Sequence, residues 1–187
     1  MTIKRKRSNI NDNHFQLHFI YLLMDTNNTL IQQAMLTWQN TICEGNSAFE
    51  NNRYITADKL YQDSLEHLAN IGGFITSNTP PPTSWVIDQF VPALVVSYLN
   101  LVDSSMAQGK HEIACDFLVE GYNVVCDCGH CLLNTTQDEN HYLFSKHLSQ
   151  LQHHSFAIRK HLAQSPNLLN KLEKISEPYS VTSLTYH

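Results

Sequence analysis

The chain has 187 residues, a net charge of −5 and 42% hydrophobic residues. This length and apolar fraction predict one globular domain with its own core and exclude an intrinsically disordered chain. The first 23 residues carry +3, because four basic residues at positions 4–7 outweigh Asp12, so the remainder from Met24 carries −8. Such an acidic body lacks the basic surface that binds phosphates, so we expect no nucleic-acid partner.

The N-terminal segment combines this basic start with an apolar run, Phe15–Met24. A signal peptide has the same order, but this run contains His18, is too short to span a bilayer and is not followed by small residues suited to cleavage. We interpret residues 1–24 as a flexible extension, with a translation start at Met24 as an alternative. Five cysteines, an odd number, argue against a disulfide framework, so we expect a cytoplasmic protein without a membrane partner.

Hydrophobic periodicity predicts an all-α fold with a helical domain over residues 25–175. A first hairpin at 29–69 turns at Asn51–Asn52, and a second at 85–126 turns at Gln108–Gly109. The domain is completed by a linker at 70–84 that holds three consecutive prolines, C-terminal helices at 137–175 with a helix start at Pro166, and a tail at 176–187. Within the second hairpin, Pro92 is expected to kink or split its first helix.

The two hairpins resemble tetratricopeptide repeats, in which small residues allow two helices to cross closely. The residues that carry the resemblance are Gly45, Tyr54, Ala57, Tyr61, Ser64 and Leu65 in the first hairpin, and Tyr98, Leu101, Gly109, Ala114, Leu118 and Gly121 in the second. The pattern departs from the family where His111 replaces the aromatic matched by Tyr54, and in its 57-residue offset (111 minus 54) against a usual period of about 34.

This resemblance implies two degenerate repeats followed by capping helices, similar to small bacterial tetratricopeptide-like proteins. It also implies a non-enzymatic interaction or scaffold protein whose groove binds a peptide or a partner helix. No motif of a hydrolase, a nucleotide-binding loop or a metalloprotease is present. A structural subunit of a homo-oligomer is a further alternative.

One part of the sequence contains residues that could bind a metal or react, the cluster Cys126, Cys128, His130 and Cys131. Thiolates and an imidazole are zinc ligands, and we expect the cluster to lie in a loop over 126–137. The spacing is not that of a standard zinc knuckle, so reduced, partly buried cysteines and a metal-binding or redox-responsive site are both kept as hypotheses. The helix that follows is rich in histidine, and we interpret those histidines as a solvated face.

Overall fold

The computed structural model describes residues 10–75, 83–133, 138–173 and 175, with side chains described for 29–73, 84–130, 140–173 and 175. The described part of the chain is all-α, as the sequence predicts, and contains no strand. In chain order the α-helices are α1 (Ile10–Glu50), α2 (Tyr54–Ile75), α3 (Thr83–Trp85), α4 (Val91–Ala107), α5 (His111–Leu133), α6 (Asp138–Arg159) and α7 (Pro166–Glu173).

Two hairpins, α1–α2 and α4–α5, turn at the residues that the sequence predicts. Asn52 has φ 56° and Gly109, 57 positions later (109 minus 52), has φ 71°. The amide of Asn52 donates to Phe49 O at 2.8 Å, and that of Gly109 donates to Met106 O at 3.0 Å. Both turns therefore end their helix in the left-handed conformation that asparagine and glycine tolerate best.

The hydrogen bonds around the two turns repeat with the same 57-residue offset. Each next amide, Arg53 or Lys110, donates at 2.9 Å to a carbonyl five residues earlier. Side chains repeat as well, because Asn51 Nδ2 donates to the carbonyl four residues earlier at 2.7 Å and Gln108 Nε2 does so at 3.1 Å. The two hairpins are thus a structural repeat.

Helices that follow each other along the chain pack side by side. α2 contacts both α1 and α4, α5 contacts α4, and α6 and α7 pack against α5. The core between them is aliphatic and aromatic, and among its members with no exposed surface are Leu68, Ile71, Ile87, Leu101, Leu118, Phe144 and Leu151. The segment Val86–Ala107 is long and apolar enough to cross a membrane, but 61% of its most apolar 18-residue stretch is buried within this fold.

Pro92 interrupts regular α-helical hydrogen bonding, as expected. Residues Val86–Phe90 form a π-helical turn between α3 and α4, in which the amide of Val91 donates to Val86 O, five residues back. Proline has no amide proton and its ring crowds the preceding turn, so the helix widens just before it. Pro92 then lies in the first turn of α4, where a missing donor has no cost.

Three predicted boundaries are corrected. The extension predicted at 1–24 is helical from Ile10, because the apolar run has helical spacing and no breaker separates it from the first hairpin. The linker predicted at 70–84 begins later, because α2 continues to Ile75, and helix resumes at Thr83. Residues 1–9, 76–82 and the tail at 176–187 lie outside the described residues, and α7 begins at Pro166 as predicted.

Candidate functional site

The predicted cysteine loop is a helix in the structure. α5 continues to Leu133 and contains Cys126, Cys128, His130 and Cys131. Gly129 is buried, and its helical cost of about 1 kcal/mol is smaller than the gain from burying its neighbours on the core. Because successive helical residues are rotated by about 100°, Cys126 and Cys128 project on nearly opposite sides of α5.

The helix therefore separates Cys126 from Cys128, while His130, four residues after Cys126, lies on the same face as Cys126. Within the described residues no group of three histidine, cysteine or acidic side chains is placed to hold a metal ion. The side chain of Cys131 lies outside the described residues, so the zinc hypothesis stays a prediction. Burial raises the pKa of the Cys126 thiol, with a smaller contribution from Asp127 in the same direction. A higher pKa reduces the thiolate fraction, and thiolate is the form that attacks disulfides and binds metals.

The histidine-rich helix α6 is not uniformly solvated. His147 is half-buried, and burial lowers its pKa; Lys146 acts in the same direction, against Asp88. His154 Nε2 lies 2.8 Å from Asp103 Oδ1 of α4. His147 and His154 therefore face the rest of the protein and help to seat α6 on it. His153 in α6 and His161 in the turn that follows α6 are exposed, as the sequence interpretation requires.

The structure reveals a groove between α1 and the α3–α4 segment. Its upper cavity, of about 460 Å³, is lined by Gln32, Met35, Leu36, Trp38, Gln39, Trp85 and Gln89. Leu36 is 60% exposed although it is a large apolar residue. This end of the groove therefore combines apolar surface with amide side chains and has no charged lining residue.

The lower cavity of the groove, of about 240 Å³, has a different character. It is lined by Asn46, Phe49, Glu50, Tyr61, Asn100 and Asp103. Asn46 Oδ1 accepts hydrogen bonds from Tyr61 Oη at 2.9 Å and from Asn100 Nδ2 at 3.1 Å, which ties the two walls together. Two carboxylates and no lysine or arginine line this end.

Both cavities lie along the same face of α1. Gln32, Gln39 and Asn46 are spaced by seven residues, and seven residues make almost two helical turns. Between the cavities, Cys43 on α1 is exposed, and so is 38% of Val96 on α4. The groove is therefore the face of α1 and α4 that holds both cavities, with Cys43 and Val96 on the stretch between them.

A buried polar chain holds the walls of the groove in place. Trp38 Nε1 on α1 donates to Ser97 Oγ on α4 at 2.9 Å. Ser97 Oγ lies 3.0 Å from Ser64 Oγ of α2, and Ser64 Oγ donates to Tyr61 O at 2.7 Å. Since Ser64 and Ser97 have no exposed surface, breaking this chain would leave buried polar groups without partners. These hydrogen bonds therefore join α1, α4 and α2.

Comparison with known proteins identifies the family. Residues 36–185 match the model of a family described as protein of unknown function (DUF2753), and the chain belongs to that family. No curated protein and no solved structure matches the chain. The matched range begins at Leu36, so it leaves residues 10–35 of α1 outside and covers the rest of the first hairpin, the second hairpin and the C-terminal helices.

Sequence reasoning did not find the groove. Its residues belong to ordinary helical stretches, and the two walls are separated by more than 50 positions, as between Asn46 and Asn100. One feature of the sequence does indicate the groove. Gln32, Gln39 and Asn46 place polar side chains on one face of α1, and a face packed into the core would be apolar.

Proposed function

We propose that the protein is a non-enzymatic interaction module of the tetratricopeptide-like type, acting in the cytoplasm, and that the groove between α1 and α4 binds a peptide or a partner helix. The observation that carries the proposal is the pair of open cavities that lie along the same side of two neighbouring segments, α1 and α3–α4. Stacked helical hairpins form such faces from the first helix of each hairpin.

Three features of the hairpins support the tetratricopeptide-like part of the proposal. The turns repeat bond for bond, Ala57 and Ala114 have no exposed surface, and glycines lie at close helix crossings. A Cβ placed on Gly45 would lie 2.5 Å from Tyr61 Cε1, and one on Gly121 would lie 2.7 Å from Tyr98 Cγ. Small residues at helix crossings are the physical basis of the family pattern.

The proposal is tested by selecting peptides from a displayed random library on the full-length protein. Selected peptides are then measured against Leu36→Asp, which places a charge in the upper cavity, and against Ile113→Asp as the matched control. Ile113 is 45% exposed on α5 and lies outside both cavities, so its substitution changes charge and apolarity in the same way elsewhere.

We expect Leu36→Asp to weaken binding at least about tenfold, because a buried charge without a partner opposes docking, and Ile113→Asp to leave it unchanged. Circular dichroism and a thermal melt confirm that both variants fold. Equal binding to both variants, or selection of no peptide at all, would contradict the proposal.

A further inference from the structure

The two ends of the groove differ in charge, and this difference bears on what the groove binds. Glu50 and Asp103 line the lower cavity and are both exposed, whereas the upper cavity is neutral. Among the described residues, neither carboxylate pairs with a lysine or an arginine, and Asp103 Oδ1 lies 2.8 Å from His154 Nε2. A lysine or arginine placed in this cavity would meet two carboxylates in a partly enclosed space.

The carboxylates of the lower cavity also affect the pKa of the Tyr61 hydroxyl. Burial raises the pKa of Tyr61 to about 12, and Asp103, Asp58 and Glu50 contribute in the same direction. Asp58 Oδ2 accepts a hydrogen bond from Gln108 at 2.8 Å and lies 3.8 Å from Lys110 Nζ. Because Asp58 Oδ1 is buried, this carboxylate is not available to a ligand. Glu50 and Asp103 are the carboxylates that a bound cation would contact.

The amide side chains of the groove favour an extended segment over a helix as its occupant. Gln32, Gln39 and Gln89 line the upper cavity, and Asn46 and Asn100 line the lower one. Amide groups both donate and accept hydrogen bonds, and an extended peptide exposes backbone groups of both kinds. A helix satisfies those backbone groups internally, so it would make little use of such a lining.

We infer that the groove binds an extended peptide segment that places an apolar side chain in the upper cavity and a lysine or arginine between Glu50 and Asp103. Leu36 and Glu50 are fourteen positions apart (50 minus 36), which is about 21 Å along a helix. An extended chain covers this distance in about six residues. The inference rests on the proposed function and adds the polarity and spacing of the ligand to it.

The test uses synthetic peptides with one leucine and one arginine in a neutral background, in which the arginine is moved from two to ten residues away on either side. Binding to the full-length protein is measured by fluorescence anisotropy. We expect the tightest binding at a separation of about six, and arginine-to-glutamine peptides to bind about two- to thirtyfold more weakly, the range for two exposed charge pairs. Raising the salt concentration to 0.5 M should reduce that difference.

Protein variants locate the charge. Glu50→Gln combined with Asp103→Asn should remove the preference for arginine, while Glu112→Gln, an exposed carboxylate of α5, should leave it intact. Bound peptide should also slow the alkylation of Cys43, which is exposed between the two cavities, and leave the buried Cys115 unaffected as an internal reference.

The outcomes separate the inference from the proposed function. Peptides that lose binding to Leu36→Asp but bind the Glu50→Gln/Asp103→Asn protein normally, with or without arginine, would overturn the inference and keep the groove. No effect of either variant would overturn both. Self-association that depends on protein concentration and disappears in the double variant would mean that the basic positions 4–7 of a second copy occupy the cavity, and would overturn a separate partner.

Discussion

In the first hairpin a glycine of the first helix meets a tyrosine of the second, whereas in the second hairpin these positions are exchanged. Gly45 of α1 faces Tyr61 of α2, and Tyr98 of α4 faces Gly121 of α5. In both hairpins the residue beside the glycine accepts the tyrosine hydroxyl: Asn46 from Tyr61 at 2.9 Å, and Glu120 from Tyr98 at 3.1 Å.

This exchange shows what the repeat conserves physically. A close crossing needs one residue without a Cβ and one flat ring that covers it, and either helix can supply either partner. The two turns, in contrast, have the same hydrogen bonds, because turn geometry depends on backbone dihedral angles and not on which helix supplies the tyrosine. Variants in the two hairpins can therefore measure separately how much the helix crossings and the turns contribute to stability.

The crossing glycines should give the largest effect. We expect Gly45→Ala and Gly121→Ala each to lower the free energy of unfolding by about 1–3 kcal/mol, because the new methyl group would overlap a packed ring. The loss should be larger at Gly121, where the nearest atoms are Cβ and Cγ of Tyr98, than at Gly45, which meets the ring edge of Tyr61. Urea denaturation of the purified variants measures both values.

Gly73→Ala is the matched control for the crossing glycines. Gly73 is exposed in α2 and has no atom within 4 Å of a built Cβ, so alanine there should stabilise the protein by about 0.5–1 kcal/mol through helix propensity. If all three substitutions were stabilising, the close crossings would not be as tight as the structure shows.

The turns should give the next largest effect. Gly109 has φ 71°, so Gly109→Ala should cost about 1–2 kcal/mol, the strain of an L-residue in the left-handed region. Gly109→Asn should cost less, because Asn52 occupies the equivalent position of the first hairpin at φ 56°. The same urea experiment checks this order, and equal losses for alanine and asparagine would mean that the two turns are not equivalent.

The turns were predictable from the sequence because their cause is local. Asn52 and Gly109 end their helices through their own backbone preferences, and Pro166 starts one for the same kind of reason. The sequence predicts a loop for the cysteine segment because a glycine among clustered cysteines, considered without its neighbours in the fold, indicates the end of a helix. Packing of α5 on α4 and α6 outweighs that local signal, and it cannot be read from positions 126–131 alone.

The groove depends on contacts between residues that are far apart in the sequence, so local sequence patterns do not predict it. Ser64 and Ser97 look like ordinary small helix residues, yet their 3.0 Å contact, together with Trp38, joins α1, α4 and α2. In the sequence His154 likewise does not differ from the other histidines of this region, but in the structure α6 places it beside Asp103. Both facts follow from how α2 and α6 pack on α4, that is, from tertiary structure.

The tyrosine hydroxyls should give a smaller effect than the turns. Tyr61→Phe and Tyr98→Phe each remove one hydrogen bond, so we expect a loss of about 0.5–1.5 kcal/mol at neutral pH. Both acceptors, Asn46 and Glu120, are exposed and can bind water instead, which limits the loss. Equilibrium denaturation at pH 7 tests the two variants side by side.

The pH dependence of Tyr61 sharpens this measurement. Its pKa is raised from about 10 in the unfolded chain to about 12 in the folded protein. The neutral phenol is thus favoured by folding, so this contribution is complete below pH 10 and is lost as the pH rises from 10 through 12. The parent should therefore lose more stability than Tyr61→Phe between pH 9 and pH 11.5, and equal losses would mean that the phenol is not buried.

The smallest effect is expected from removing metal at the end of the second hairpin. Treating the parent protein with a chelator should leave its melting temperature unchanged, because the helical course of α5 separates Cys126 from Cys128 and burial keeps the Cys126 thiol protonated.

Replacing Cys126, Cys128 and Cys131 by serine should lower the free energy of unfolding by no more than about 1–3 kcal/mol, since partly buried thiols are exchanged for hydroxyls. A structural zinc would behave differently, because its binding energy is folding energy and reaches about 10 kcal/mol or more. Thermal melts of the parent and the triple variant, each with and without chelator, decide the matter. A collapse of the variant that chelator reproduces in the parent would establish zinc at this end of the fold and would make the second hairpin, unlike the first, dependent on a metal.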